Sequence, residues 1–356
     1  MLENMLAVKI IRVSWVWICG VVSVFSIYPA LADITETSPA TSVKSRELEA
    51  ALHEAEAVMK VVTLYYSVLQ MSSEIDPILA RASISVTAAQ NAEDEVGSKI
   101  SRAESLLDEA ALLTADLPPL TDELKGKHRE LAIEVRNFLP DARVLAENQV
   151  SLWRGQYNSL VAGNVSEYQT LVHSEIALRE SLIELANILG KARLSSMDMR
   201  SPGYHVQESI VLGNELMAKF VGLVHNYETS THDEDSAATA QIGQLVARLE
   251  SSIKMGFNKV EDIRNAAEQV TEVEKSLLLN YASCSEQSLV LEKSIFAVLK
   301  KYEFFAHELV AGSFGQADQE GLAVAEVEIQ NLSLQRSRLK SQCANAAVDV
   351  IEYASD

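Results

Sequence analysis

The sequence predicts an all-α protein, an elongated antiparallel helical bundle with coiled-coil packing and about seven helices. Three observations predict it. Apolar residues recur every seven positions over long stretches, capping residues punctuate the chain at terse loops, and no run alternates at period two for long. Composition agrees: 48% of residues are hydrophobic but only 6% are aromatic, which points to Ala/Leu/Val helix seams.

The chain opens with Lys9 and Arg12, an apolar run from Val13 to Tyr28, then Pro29 and Ala30-Leu31-Ala32. A basic n-region, an h-region and an A-x-A site in that order predict a secretory signal over residues 1–32, cleaved after Ala32. The alternative is an uncleaved anchor, since Val13 to Ala32 spans 20 residues. Cys19 is not expected to carry lipid, because Val16-Trp17-Ile18 lacks small residues, and the stretch up to Asp356 lacks the apolar tail of a GPI signal. Residues 33–42 read as a short disordered lead and 43–356 as one elongated bundle. Removing Lys9, Arg12 and Glu3 from 30 basic and 50 acidic residues leaves 28 and 49, a net charge of −21. That balance disfavours nucleic acid or anionic membrane as partner, because both demand a cationic face.

The helices follow in order from their caps. Asp76-Pro77 and Ser201-Pro202 each place an acceptor at N-cap and Pro at N1. Thr121 with Asp122 and Glu123 predicts a cap with an acidic first turn, and Asn164 with Glu167 a capping box. Loops are expected at Ser72–Asp76, Asp116–Leu120, Ala162–Asn164, Ser196–Ser201, Glu228–Asp235 and Ala311–Ala317. In the third helix the core row reads Leu124, Leu131, Phe138, Leu145 and Leu152, with Pro140 as a kink. The sixth reads as a rod from Ser236 to Val310, about 110 Å long at 1.5 Å per residue. Its rows are Leu249, Gly256, Ile263, Val270, Leu277, Cys284, Leu291 and Val298, beside Val246, Ile253, Val260, Ala267 and Tyr281. Glu274 and Ser288 interrupt the second row, and Gly256 is a candidate bend. The last helix repeats the pattern through Leu322, Ile329, Cys343 and Val350, beside Ala325, Leu332, Leu339 and Ala346.

Two cysteines follow the leader, Cys284 and Cys343, and an oxidising compartment makes them a disulfide candidate. Contacting residues of an antiparallel hairpin lie equidistant from its turn. The midpoint of this pair falls on Ala311-Gly312-Ser313-Phe314-Gly315, and both cysteines occupy core rows. Such a bridge stabilises by roughly 3–4 kcal/mol on the chain-entropy model. Two buried free thiols are the alternative.

No chemistry-bearing motif emerges. None of the seven histidines has an acidic residue three positions before it, which disfavours a carboxylate-bridged di-metal centre, and H-E-x-x-H does not occur. No catalytic residue, metal site or cofactor is assigned. His225 with His232-Asp233-Glu234-Asp235 contains possible metal ligands, but the acidic residues also suit the positive end of the next helix. Trp153, Tyr157 and Tyr168 gather near one tip. Exposed, they form a recognition patch; buried, they close the bundle end. Asn164-Val165-Ser166 and Asn331-Leu332-Ser333 are N-glycosylation sequons at positions expected to be accessible.

Leader, long acidic Ala-rich bundle, disulfide, tip loops and sequons together resemble the trypanosome helical-bundle surface glycoproteins, closest in style to the haptoglobin-haemoglobin receptor. The part that looks similar runs from Glu47 to Tyr168 and rests on architecture; no binding residue transfers. The resemblance implies a surface receptor. The expectation is therefore an exported, non-enzymatic bundle, secreted or at the cell surface, that binds a protein partner and is not inserted in the membrane once its leader is removed. A bacterial periplasmic scaffold that pairs through its helices is the alternative.

Overall fold

The computed structural model describes residues 41–229 and 235–355, all of them helix or short connection, with no strand among them. The leader, the lead up to residue 40 and the His232–Glu234 segment lie outside the described residues. Among the described residues ten helices follow one another: α1 (Thr41–Gln70), α2 (Ser72–Ala82), α3 (Val86–Asn91), α4 (Glu93–Ala115), α5 (Gly126–Val161), α6 (Val165–Ser196), α7 (Pro202–Thr229), α8 (Asp235–Ala267), α9 (Glu272–Val310) and α10 (Gln316–Ser355).

They pack as an all-α bundle around two adjoining cores. The first draws Val61, Tyr65, Ile75, Leu79, Val96, Leu139 and Trp153 from α1, α2, α4 and α5. The second draws Leu216, Phe220, Ile242, Leu249, Ile295, Tyr302 and Leu322 from α7 to α10. Helices α6 and α7 join them through Leu178, Leu182, Ile183 and Val221, which pack with Leu145 and Leu152 of α5.

Turn chemistry sets the antiparallel order. Gly163 and Gly312 hold φ of 70° and 69°, a region where a Cβ is strained. Each follows a helix end where the amide two residues past the C-cap donates back over the last turn, Asn164 to Ser159 O at 2.8 Å and Ser313 to Glu308 O at 3.0 Å. Ser201 Oγ accepts from the Tyr204 amide at 3.1 Å with Pro202 opening α7, as its sequence predicts. Asn164 Oδ1 accepts from the Glu167 amide at 3.2 Å.

Elsewhere the sequence expectations need correction. Asp76 is not a cap: α2 begins at Ser72, Pro77 lies inside it, and the buried Asp76 carboxylate accepts from a tryptophan described below. The second helix breaks into α2, α3 and α4, with Ser85 capping α3 through the Ala88 amide at 3.1 Å. Thr121 does not start α5, which begins at Gly126; its hydroxyl accepts from the Glu123 amide instead, at 3.3 Å. Buried along α5 are Ala132, Leu139, Ala146, Trp153 and Leu160, one residue on from the predicted row, with Val135, Ala142, Gln149 and Gln156 beside them; Leu124 of the predicted row is buried just before the helix. Small alanines face the crowded first core, while Leu145 and Leu152 are partly buried on the flank toward α6 and α7.

The largest correction concerns the predicted rod. The chain reverses between Ala267 and Glu272, so α8 and α9 are two antiparallel helices, each roughly half the predicted length. Thr271 caps α9: its hydroxyl accepts from the Glu274 amide at 3.5 Å while Glu274 Oε2 accepts from the Thr271 amide at 2.9 Å. The heptad rows stay in register across the reversal, so periodicity alone reads straight through it. Gly256 is no bend. It is a close-approach site, where a Cβ would lie 2.5 Å from Leu289 Cδ2 and 3.0 Å from His205 Cβ. Thr271→Ala is expected to cost about 1 kcal/mol, the usual worth of such a cap, read as a lower urea midpoint with unchanged slope.

Candidate functional site

Trp153, Tyr157 and Tyr168, the aromatic cluster the sequence singles out, lie near one end of the bundle. Trp153 is wholly buried, and its indole Nε1 donates to Asp76 Oδ1 at 3.2 Å. Tyr168 is buried, and half-buried Tyr157 donates its hydroxyl to Ala89 O at 3.2 Å. The recognition-patch reading of Trp153, Tyr157 and Tyr168 is therefore overturned. Helices α2 and α3 cover the rings, a fold-back hidden when that stretch is read as one helix. What this end exposes is aliphatic: Ile84 at 81%, Val165 at 63% and Val86 at 41%. Val86 sits beside Gly163, 3.3 Å from where a Cβ would stand, so these side chains ring one tip. Trp153→Phe removes a buried donor to a carboxylate and is expected to cost about 2 kcal/mol. Tyr157→Phe, which loses only a bond to a carbonyl, is expected to cost about 1 kcal/mol or less; chemical denaturation of both variants checks the order.

Cys284 and Cys343 are bonded, with Cα atoms 5.6 Å apart. Cys284–Cys343, Glu292–Arg336 and Lys301–Glu328 are all centred between Ser313 and Gly315, so one hairpin register explains the bridge and both ion pairs. Asn164 and Asn331 are both exposed, as expected of accessible sequons. Among the described residues no group of three His, Cys, Asp or Glu could hold a metal ion.

Sequence reasoning missed a polar seam along α6, α7 and α8. His205 is buried, with both ring nitrogens lacking a hydrogen bond. Its Nδ1 lies 3.5 Å from Glu208 Oε2, close enough for electrostatic attraction but beyond good hydrogen-bond length. Ser252 of α8 donates to the same carboxylate at 2.6 Å. The His205 side chain and then the Ser252 hydroxyl hold the Glu208 carboxyl below its ordinary range, against the upward pull of burial. The order matters chemically. A serine nucleophile needs the imidazole as its base and the acid behind it. Here the acid stands between hydroxyl and imidazole, so Ser252 is anchored rather than activated. Burial pushes the nearby Arg193 guanidinium down to about 9, which leaves it cationic at neutral pH. The signal available in the sequence was polar side chains on otherwise apolar helix faces, with His205 and Glu208 one turn apart.

Beside this seam a groove of about 410 Å³ opens between α6, α7 and α8. Its floor is Ala218 and the buried Leu245, and its walls carry Lys191, Lys219 and Arg248 with Gln241 and Gln244. Lys191 pairs with Glu215 at 2.7 Å.

No family model, curated protein or solved structure matches this chain.

Proposed function

We propose that this chain is an exported helical bundle whose work is binding, secreted or displayed at a cell surface, and that it is not an enzyme. The observation that carries the reading is the Cys284–Cys343 bridge, because disulfides persist in extracytoplasmic compartments and the leader sequence would deliver the chain to one. The Ser252–Glu208–His205 order lacks the serine–imidazole pair of a nucleophilic triad, which fits binding better than serine hydrolysis. The aliphatic tip at Ile84, Val86 and Val165 supports a protein partner, and the bundle carries that tip on long helices, as in the surface glycoproteins the sequence resembles.

A second reading, a periplasmic scaffold that pairs through its helices, is favoured by exposed Val324, Val327 and Leu334 on one face of α10 with Phe304 of α9 beside them. The two are separated by expressing the full chain with its own leader in a secreting eukaryotic cell. The first reading expects a protein outside the cytosol that begins at Asp33, has no free thiol, and loses mass on glycosidase treatment unless Asn164 and Asn331 are both replaced by Gln. An intact leader on a cytosolic product in which Cys284 and Cys343 are both free thiols would sink it. Export without glycan in native material would favour the scaffold.

A further inference from the structure

We propose that the groove between α6, α7 and α8 binds a small oxyanion ligand, one carrying at least two carboxylate or phosphate charges on a compact body. This goes beyond the exported protein-binding reading and does not depend on it, since a small-ligand groove serves either compartment.

Three cations from three helices converge there: Lys191 on α6, Lys219 on α7 and Arg248 on α8. One acid, Glu215, opposes them and is engaged by Lys191. The groove thus carries a local excess of two positive charges in a chain whose net charge is −20. The surplus of acid makes that arrangement informative. With 50 acidic residues against 30 basic ones, a cation readily finds a carboxylate. Arg81, Arg136, Arg143, Arg154, Arg264 and Arg336 each do so. Lys219 and Arg248 make no ion pair or hydrogen bond among the described residues. The charge of Arg248 reaches Glu208 and helps hold that carboxyl down, yet the two are not paired.

Two unpaired cations on one concave wall repel each other, and an oxyanion held between them removes that cost. An arginine suits the fork of a carboxylate or phosphate, and a lysine from the neighbouring helix adds a point charge. Gln241 and Gln244, one turn apart on α8, offer amide donors for the remaining oxygens. Asn187 closes the α6 side, its amide oxygen buried without a partner. The apolar floor of Ala218 and Leu245 suits a short hydrocarbon body between charged ends. About 410 Å³ admits a metabolite-sized molecule and excludes a folded partner.

The test titrates the full mature chain with pyrophosphate and with citrate at 150 mM NaCl, by calorimetry and by amide chemical shifts. Expected is saturable binding by at least one of these probes, with shifts concentrated on α7 and α8 around Lys219 and Arg248. Lys219→Gln combined with Arg248→Gln should weaken that binding at least tenfold while leaving the circular dichroism and melting temperature unchanged, because both side chains are exposed and unpaired. The matched control, Lys254→Gln with Lys293→Gln, removes two exposed cations elsewhere and should leave it intact. Preference for pyrophosphate or citrate identifies phosphate or carboxylate as the source chemistry. No saturable binding of either probe overturns the proposal, and so does binding that both double variants weaken equally, since that is general attraction of anions.

Discussion

Replacing both Cys284 and Cys343 by serine is expected to lower stability by about 4 kcal/mol and the melting temperature by roughly 8 °C. The bridge joins residues 59 apart in sequence, and closing a loop of that length removes much of the freedom of the unfolded chain. The folded state loses little in exchange. Cys284 is only half-buried, and two serines fit where two sulfurs stood. The contribution therefore sits in the unfolded ensemble, and melting with and without a reductant isolates it. Reductant should lower the midpoint of the native chain to that of the double serine variant and leave the variant itself unmoved. If reduction frees both thiols and the midpoint stays in place, the chain-entropy account fails. The bridge also has a local consequence. It fastens α10 to α9 at Cys343, past Leu322, Ala325 and Ile329 of the second core, so amides after Arg336 should lose hydrogen-exchange protection first in the variant.

The same hairpin shows how much of this molecule was legible from its residues. The Cys284–Cys343 bond followed from three independent signs: an even pair after the predicted leader, shared core rows, and a midpoint on a glycine turn. The last two are local or arithmetic, and both hold in the structure. The Ser236–Val310 rod failed because a heptad row reports only which face of a helix is buried. The reversal after Ala267 happens to keep the rows in phase, and Val270, counted on a core row, is 40% exposed. The information was present in Thr271 and Glu274, whose spacing is a capping box, but the acid was read as an interruption of a stripe. The α5 register slipped for a related reason. Leucine and phenylalanine outrank alanine on any hydropathy count, whereas the tight first core selects by volume and takes in Ala142 and the wholly buried Ala146. The groove and the His205 seam were out of reach altogether. They join residues of three helices, and nothing in a linear pattern says that Lys191, Lys219 and Arg248 share a wall. The all-α architecture was therefore readable, while every candidate site except the disulfide required the packing.

Breaking the Glu292–Arg336 pair is expected to cost 3–5 kcal/mol from either side, whereas removing both partners costs little. Both side chains are almost wholly buried, 3% and 4% exposed, and Arg336 Nη2 donates to Glu292 Oε2 at 2.5 Å. Exposed Lys301–Glu328 on the same hairpin has nearly the same geometry, but solvent screens it and its loss should go unnoticed within about 1 kcal/mol. The difference lies in what a single deletion leaves behind. Arg336→Met leaves the buried Glu292 carboxylate without its guanidinium, and Glu292→Met leaves the buried guanidinium without that carboxylate. Glu292→Met with Arg336→Met replaces both charges by flexible apolar side chains of similar length. It should lie within about 1 kcal/mol of the native chain or above it, which gives a coupling energy of several kcal/mol in the double-mutant cycle. The pH dependence supplies an independent check. In Arg336→Met the stranded carboxyl is desolvated, so its folded pKa rises above its unfolded value. The native state then binds more protons than the unfolded state, and stability falls as pH rises through the region between those values. Arg336→Met should accordingly regain stability relative to the native chain between pH 7.5 and about pH 5, while the double methionine variant should track the native chain over the same range. A single variant that loses 3–5 kcal/mol with no such recovery on acidification would place its loss in packing, and the buried charge would not be its cause.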